Sequence, residues 1–170
     1  MTRPLPRSLD RAAFVATYGH VFEHSPWIAE AAWDAGLPAD ADAAVGLHRA
    51  LCAALAPASA ERKLALVRAH PDLAGKLAQA GRLTAESTEE QASAGLDRLT
   101  DAERVTFTRL NEAYRERFGF PFIIAVKGLS KADILAAFEQ RLKNDREAEL
   151  ATALAQVERI ALLRLRDLLP

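Results

Sequence analysis

A histidine and a glutamate are the two side chains of this sequence best suited to move protons. His70 stands in Ala69-His70-Pro71-Asp72-Leu73, where a helix must stop, and Glu90 stands in Ser87-Thr88-Glu89-Glu90-Gln91, where another helical segment starts. Imidazole and carboxylate groups exchange protons near neutral pH. If the fold holds them close together, they form a small acid–base site that needs no cofactor.

The position of His70 has two interpretations. A histidine near a helix C-terminus interacts well with the helix dipole, and for an arbitrary protein this structural role is the commoner one. Pro71, however, restricts the backbone of His70 and makes it a junction residue. Such junctions can direct a side chain into a cleft. Pro71 itself fits the first turn of a short helix ending near Gly81.

Glu90 also has a structural alternative. Ser87-Thr88-Glu89-Glu90 matches a capping box, with Ser87 as N-cap and Glu90 as the reciprocal third residue. The pattern alone favours this capping role over a catalytic one. In either case Ser87, Glu90 and Gln91 are expected at a helix N-terminus, whose free N–H groups and partial positive charge suit an anionic ligand.

Arg164 lies on the apolar seam of the last predicted helix. The seam follows helical spacing and consists of Leu150, Leu154, Val157, Ala161 and Leu168. A buried arginine is costly unless its charge is matched, and a carboxylate held by two parallel hydrogen bonds is a natural match. The alternative is an arginine whose stem packs while its head reaches water.

The surrounding pattern predicts a single all-α domain of about eight helices over residues 1–170. Helix starts are expected at Ser25-Pro26, Ser59, Ser130 and Asp145, and at Thr100-Asp101-Ala102-Glu103, which matches a capping box. Only the stretch from Phe120 to Val126 is β-like. Because Pro121 interrupts it, an extended loop is expected there rather than a sheet.

Composition excludes several classes of function. The net charge is −1 and the basic residues are scattered, so nothing favours binding to nucleic acid or an anionic membrane. No apolar run approaches the roughly 20 residues needed to cross a bilayer, and the N-terminus does not resemble a signal peptide. A single cysteine, Cys52, excludes an internal disulfide. A cytoplasmic location is therefore expected.

Several strings of the sequence resemble one family. The similarity extends from about Leu9 to Leu169. The strings are Phe22-Glu23-His24-Ser25-Pro26-Trp27, the His70 segment, Ser87 to Gln91 with Ala94-Gly95-Leu96, Phe118-Gly119-Phe120-Pro121-Phe122-Ile123-Ile124, Arg141-Leu142-Lys143-Asn144 and Leu163-Arg164-Leu165. The second and fourth strings together are quite specific. The sequence is similar to the 2-oxo-4-hydroxy-4-carboxy-5-ureidoimidazoline (OHCU) decarboxylases of urate breakdown.

The resemblance implies a cofactor-free carboxy-lyase that converts OHCU to (S)-allantoin and forms a homodimer. It implies that His70 and Glu90 are catalytic and that no metal is bound. It also assigns six residues to the substrate pocket: Pro71, Ser87, Gln91, Phe122, Ile123 and Arg164. For Phe122 and Ile123 the backbone, rather than the side chain, is expected to line the pocket.

Two rival functions remain open from the sequence. One is a helical interaction domain whose histidine and glutamate only cap helices. The other is a metal-dependent hydrolase using His20, His24 and His70. His20 and His24 are four residues apart and could share one helical face, but the His-Glu-x-x-His pattern is absent. A packed or solvated histidine pair is the commoner outcome.

Overall fold

The structure, a computed structural model, describes residues 3–170, and for Leu77 it describes the backbone alone. Over these residues the chain has no strand, which confirms the predicted all-α class. A 3-10 helix, Pro6–Ser8, precedes the α-helices. These are α1 Arg11–Tyr18, α2 Trp27–Asp34, α3 Ala44–Leu55, α4 Ala60–Arg68, α5 Lys76–Gln79, α6 Ala85–Ser93, α7 Asp101–Phe118, α8 Lys131–Arg141 and α9 Arg146–Leu168. None of the helices described is long and apolar enough to cross a bilayer.

Most helix starts follow the local signals in the sequence. The side chains of Ser59, Thr100 and Ser130 accept hydrogen bonds from backbone N–H groups in the first turns of α4, α7 and α8. Asp145 does the same for α9, accepting from the N–H of Ala148 at 2.8 Å. Each cap satisfies a donor that the helix itself leaves unpaired. Gly119 ends α7 in the left-handed conformation, with φ of 78°.

Two predicted helix starts were wrong. Ser25 does not cap α2, since its hydroxyl donates to the carbonyl of Glu23 at 2.9 Å and Pro26 occupies the N-cap position. Pro71 does not begin a helix either, because residues 71–75 are irregular and α5 starts only at Lys76. Side chains from other helices hydrogen-bond the backbone of this segment, as described below, and they hold it in a non-helical conformation.

The chain divides into two compact units, Met1–Ala69 with Val157–Pro170 (unit 1) and His70–Gln156 (unit 2). In unit 1, α2 packs against α1 and α3. The core of unit 1 contains side chains that are at most 2% exposed, among them Phe14, Tyr18, Ile28, Leu47 and Leu51. Burying a side chain of this size contributes roughly 1.5–3 kcal/mol relative to leaving it in water.

The core of unit 2 is an aromatic cluster between α7, α8 and the segment that follows α7. Its rings are at most 1% exposed and belong to Phe107, Tyr114, Phe118, Phe120, Phe122 and Phe138. Phe122 stacks on Phe138 with ring centroids 3.8 Å apart. Residues 120–126 form no strand, as Pro121 predicted. This segment is called the Phe122 loop below.

Candidate active site

His70 is the first residue of unit 2 and is buried, with 6% of its surface exposed. It follows α4 directly, because that helix ends at Arg68 and Ala69 is its C-cap. The junction predicted from the sequence is therefore present. A buried polar side chain usually has a partner or a function, so both the helix-end role and the catalytic role of His70 are compatible with its burial.

The backbone of the segment after His70 is held by three hydrogen bonds from two side chains, one of α6 and one of α7. Gln91 accepts from the N–H of Ala74 at 2.9 Å and donates to the carbonyl of Asp72 at 3.3 Å. Asn111 donates to the carbonyl of Leu73 at 2.9 Å. Together these bonds serve the backbone groups that an irregular, largely buried segment would otherwise leave unpaired.

The same segment carries strain and a salt bridge. Ala74 has a φ of 50°, a left-handed conformation that is uncommon for a residue with a Cβ. Asp72 is held by Arg115, whose Nε lies 2.9 Å from Oδ1 and 3.1 Å from Oδ2. A strained conformation persists only where its surroundings fix it, and such sites are frequent around ligands. The chain after His70 is thus rigidly positioned.

Helix α6 starts earlier than the sequence suggested. Its N-cap is Thr84, whose hydroxyl accepts from the N–H of Ser87 at 3.3 Å. Ser87 is therefore the third helical residue and not the cap, so the predicted Ser87–Glu90 capping box is wrong. Glu90 lies in the second turn and has no capping role at the helix N-terminus. The structural alternative for Glu90 is removed, while its catalytic role stays a prediction.

The new register of α6 defines the face on which the predicted site residues lie. Ser87 and Gln91 are four residues apart and both are buried, at 4% and 6% exposure, and Glu90 beside them is half-buried. Glu89 is exposed, as expected for a solvated neighbour. Since Gln91 bonds Asp72 and Ala74, this face lies against the segment that begins at His70. Gln91 is thus in contact with the segment that follows His70 and Pro71, while a shared site of these residues with Ser87 stays a prediction.

The Phe122 loop also belongs to unit 2. The carbonyl of Ile123 accepts from Arg141 at 2.6 Å, and the N–H of Ala125 donates to Gln156 at 2.9 Å. Among the hydrogen bonds of the described residues, none uses the N–H of Ile123 or Ile124. A buried backbone donor usually has a partner in the occupied state of a protein. The expectation that the backbone of Phe122 and Ile123 lines a pocket stays a prediction.

Arg164 lies in unit 1, and the structure shows how its charge is matched. The side chain is 6% exposed, so the alternative of a head group reaching water is wrong. Its Nη1 lies 2.9 Å from Oε2 of Glu23, which is itself 2% exposed. The seam prediction was right for Val157 and Ala161, which are buried, whereas Leu150, Leu154 and Leu168 are only half-buried.

Glu23 is the charged residue that sequence reasoning missed. In the sequence it stands directly after the apolar Val21 and Phe22 and before His24, a position that carries no local signal of a buried charge. Its partner Arg164 lies far away in sequence, so no local pattern could pair them. Removing one partner of a buried ion pair strongly destabilises the fold, because the other charge is left buried without its counter-charge.

The remaining histidines do not form a metal centre. His20 and His24 lie after α1 in a region of turns rather than on one helical face, and both are exposed. His48 lies 2.8 Å from the carbonyl of Glu158, in unit 1. Over residues 3–170 the structure places no three histidine, cysteine, aspartate or glutamate side chains where they could hold a metal ion.

Cys52 shows no sign of activation. Its sulfur lies 3.4 Å from Nε2 of His48, but burial, with a smaller contribution from the charge of Glu158, raises the pKa of the thiol to about 12. The thiol is therefore protonated at neutral pH, and a protonated thiol is a poor nucleophile.

Comparison with known proteins identifies the family. The model of the OHCU decarboxylase family matches residues 7–166. The chain belongs to the OHCU decarboxylase family. The OHCU decarboxylase of Halalkalicoccus jeotgali is 45% identical over 159 residues, covering 94% of this chain and 86% of the relative. The enzyme of Mus musculus is 41% identical over 162 residues, covering 95% of this chain and 89% of the relative.

Solved structures agree with this membership. A crystal structure of (S)-allantoin synthase is 35% identical and superposes with a TM-score of 0.77, covering 97% of this chain. The chain spans about half, 52%, of that structure. A crystal structure of OHCU decarboxylase in the presence of (S)-allantoin is 22% identical with a TM-score of 0.65, and this likeness concerns the fold.

Proposed function

We propose that this protein decarboxylates OHCU to (S)-allantoin in urate breakdown. The observation that carries the proposal is the buried His70 at the start of a strained segment, which Gln91 ties to the α6 face bearing Ser87 and Glu90. The family match and relatives of 41–45% identity over more than nine-tenths of the chain support the same activity.

The chemistry of the substrate explains how the reaction could proceed without a cofactor. OHCU carries its carboxylate and hydroxyl on C4, beside the ring C5=N bond. When the bond between C4 and the carboxylate breaks, CO₂ leaves, the electron pair forms a C4=C5 bond, and the ring nitrogen of the former C5=N bond takes up a proton, giving an enol. Loss of the hydroxyl proton then makes the C4 carbonyl, and a proton added to C5 gives allantoin. The protein has to orient the carboxylate, stabilise developing charge and deliver this proton to one face.

The site residues fit these tasks. His70 and Glu90 are proposed to act as an acid–base pair on the hydroxyl and the ring, with Pro71 restricting the backbone of His70. Ser87 and Gln91 are proposed to hydrogen-bond the ureido or ring amide groups. Both polar atoms of the Gln91 amide already bind the chain. An amide carbonyl and an amide NH₂ each have capacity for a second hydrogen bond, so a substrate contact is compatible with these.

The backbone of Phe122 and Ile123 is proposed to line the pocket. Its support is that the two residues are buried, at 1% and 3% exposure, in a loop rather than in a helix or sheet. A loop of this kind offers N–H and C=O groups to a small polar molecule while its side chains remain in the aromatic core.

Arg164 is proposed to bind an anionic or carbonyl oxygen of the substrate. Replacing it by lysine keeps the charge but removes the planar fork that binds carboxylates with two parallel bonds. Arg164→Lys should therefore raise KM or lower kcat, whereas Arg166→Lys, at an exposed position of the same helix, should not. Unchanged kinetics in Arg164→Lys would remove Arg164 from the site.

Three further properties follow from the family resemblance and are proposed with it. Residues 1–170 are proposed to form one domain, because one family model spans residues of both compact units. A single cooperative unfolding transition would support this. The protein is also proposed to form a homodimer, which sedimentation would test. Its location is proposed to be cytoplasmic, which cell fractionation would test.

The test of the activity uses purified protein and freshly generated OHCU. The wild type should accelerate the loss of OHCU over its spontaneous decay. His70→Asn should lower turnover by about 10²-fold or more, the range of general acid–base catalysis, because asparagine cannot exchange protons near pH 7.

The matched control is His20→Asn, the same chemical change at an exposed histidine, which should keep wild-type turnover. An intact far-UV circular dichroism spectrum would show that both variants fold. If His70→Asn retained turnover within about threefold of the wild type, His70 would have no acid–base role. If the wild type itself failed to accelerate OHCU loss, the proposed activity would be wrong.

A further inference from the structure

Beneath the Phe122 loop lies a charged network that the sequence did not indicate. Glu149 of α9 is completely buried, with 0% of its surface exposed. It accepts hydrogen bonds from Arg141 Nε at 2.7 Å, from Asn144 Nδ2 at 3.0 Å and from the hydroxyl of Tyr114. Arg141 Nη2 also lies 2.6 Å from the same carboxylate, outside hydrogen-bond geometry. Glu149 thus fixes the orientation of the Arg141 guanidinium.

Arg141 connects this carboxylate to the Phe122 loop. Its Nη1 donates to the carbonyl of Ile123 at 2.6 Å, and its guanidinium carbon lies 4.4 Å from the centre of the Phe122 ring. The opposite side of that ring is stacked on Phe138. One side chain therefore fixes both a backbone carbonyl and an aromatic ring of two neighbouring loop residues.

Stability alone does not account for such a network. A buried ion pair is often no more stabilising than well-packed apolar side chains of similar volume, because both charges lose their hydration. Apolar side chains could not, however, hold a backbone carbonyl in a fixed direction. The loop has no neighbouring strand to do so, and side chains bond its backbone at Ile123 and Ala125.

We infer that Arg141, oriented by Glu149, is a positioning residue that fixes the backbone of Phe122 and Ile123 for substrate binding. The inference rests on the proposed function of this loop. It gives a positioning role to two residues, since Arg141 acts through the Ile123 carbonyl and Glu149 acts through Arg141.

Arg141→Lys tests the inference most directly. Lysine keeps the positive charge beside Glu149, but its single ammonium group cannot replace three differently directed guanidinium nitrogens. Two measurements on one preparation are needed. Hydrogen exchange in the peptide covering residues 119–127 should accelerate by about tenfold or more, as expected when a charged hydrogen bond that restrains a segment is lost. The kcat/KM for OHCU should fall by about tenfold or more through misplacement of the loop.

Arg117→Lys is the matched control. Arg117 also donates to a main-chain carbonyl, that of Asn144 at 2.8 Å, and also contacts an aromatic ring, that of Phe118, but it is exposed. Arg117→Lys should leave both the hydrogen exchange and the kcat/KM unchanged.

If Arg141→Lys does not fold, Glu149→Gln serves instead, because glutamine keeps the shape of the side chain but removes the charge that orients Arg141. The same two changes are expected from it.

The two measurements separate the possible outcomes. Faster exchange together with lower kcat/KM supports the inference. Faster exchange with wild-type kinetics, or lower kcat/KM with unchanged exchange, contradicts it, because positioning requires both. Wild-type values in both measurements also contradict it. If the wild-type protein does not consume OHCU, the proposed function fails first, and exchange still shows whether Arg141 restrains the loop.

Discussion

The buried pair of Glu23 and Arg164 gives the largest stability effect expected in unit 1. Glu23→Gln keeps the size of the side chain but leaves the guanidinium, 6% exposed, without its carboxylate. Breaking a buried pair by removing one partner typically costs about 3–5 kcal/mol. The free energy of unfolding of a native protein is roughly 5–15 kcal/mol, so the variant would lose a large part of its stability.

Urea unfolding measures this loss. With a dependence of about 1–3 kcal/mol per molar urea, the midpoint of Glu23→Gln should fall by at least about 1 M. Asp34→Asn is the control, since Asp34 forms an ion pair with Arg11 through hydrogen bonds of 2.8 and 2.9 Å, with both side chains at least half exposed. Its midpoint should change little, because solvent screens exposed pairs.

A double variant completes the reasoning. Glu23→Leu combined with Arg164→Met replaces both charges by apolar groups and should recover most of the lost stability. It should not recover turnover, since Arg164 is proposed to bind substrate. If Glu23→Gln shifted the midpoint no more than Asp34→Asn, the pair would not behave as a buried charge pair and the reasoning would be refuted.

The remaining predictions concern α6 and the cysteine. Thr84→Ala should cost about 1 kcal/mol in urea unfolding because it removes the N-cap of α6; an unchanged midpoint would contradict that cap. Glu90→Gln should keep the urea midpoint but lower OHCU turnover by about 10²-fold, while Glu89→Gln, at an exposed position, changes neither; equal turnover in the two variants would exclude catalysis by Glu90. Cys52 has a raised pKa of about 12, so iodoacetamide should modify it slowly at pH 8 in the native protein and rapidly in urea; rapid native alkylation would show a thiolate instead.

The helix starts show how far local sequence signals reach. Ser59, Thr100 and Ser130 were predictable because capping involves residues only three apart. The start of α6 was not, since Thr84 and Ser87 are both good caps and the local pattern cannot choose between them. In the structure Thr84 is the N-cap of α6, and in this register Ser87 and Gln91 are buried.

The buried charges show where local signals end. The seam of α9 predicted the burial of Arg164, but its partner Glu23 is distant in sequence. In α8 the charged Arg141 is buried, whereas the apolar Leu142, just past the helix end, is only half-buried. The partners of Arg141 come from α9 and the Phe122 loop, so its burial depends on tertiary packing that no periodicity encodes.

The handedness of the allantoin produced is the most direct measurement of the central claim. Freshly generated OHCU decays spontaneously to racemic allantoin, because a proton then reaches C5 from either face. A site that delivers the proton to one face must give an excess of one enantiomer. Chiral chromatography of the product should therefore show predominantly (S)-allantoin with the wild-type protein and a racemate with His70→Asn. Racemic allantoin at the spontaneous rate in the presence of folded wild-type protein would contradict the account.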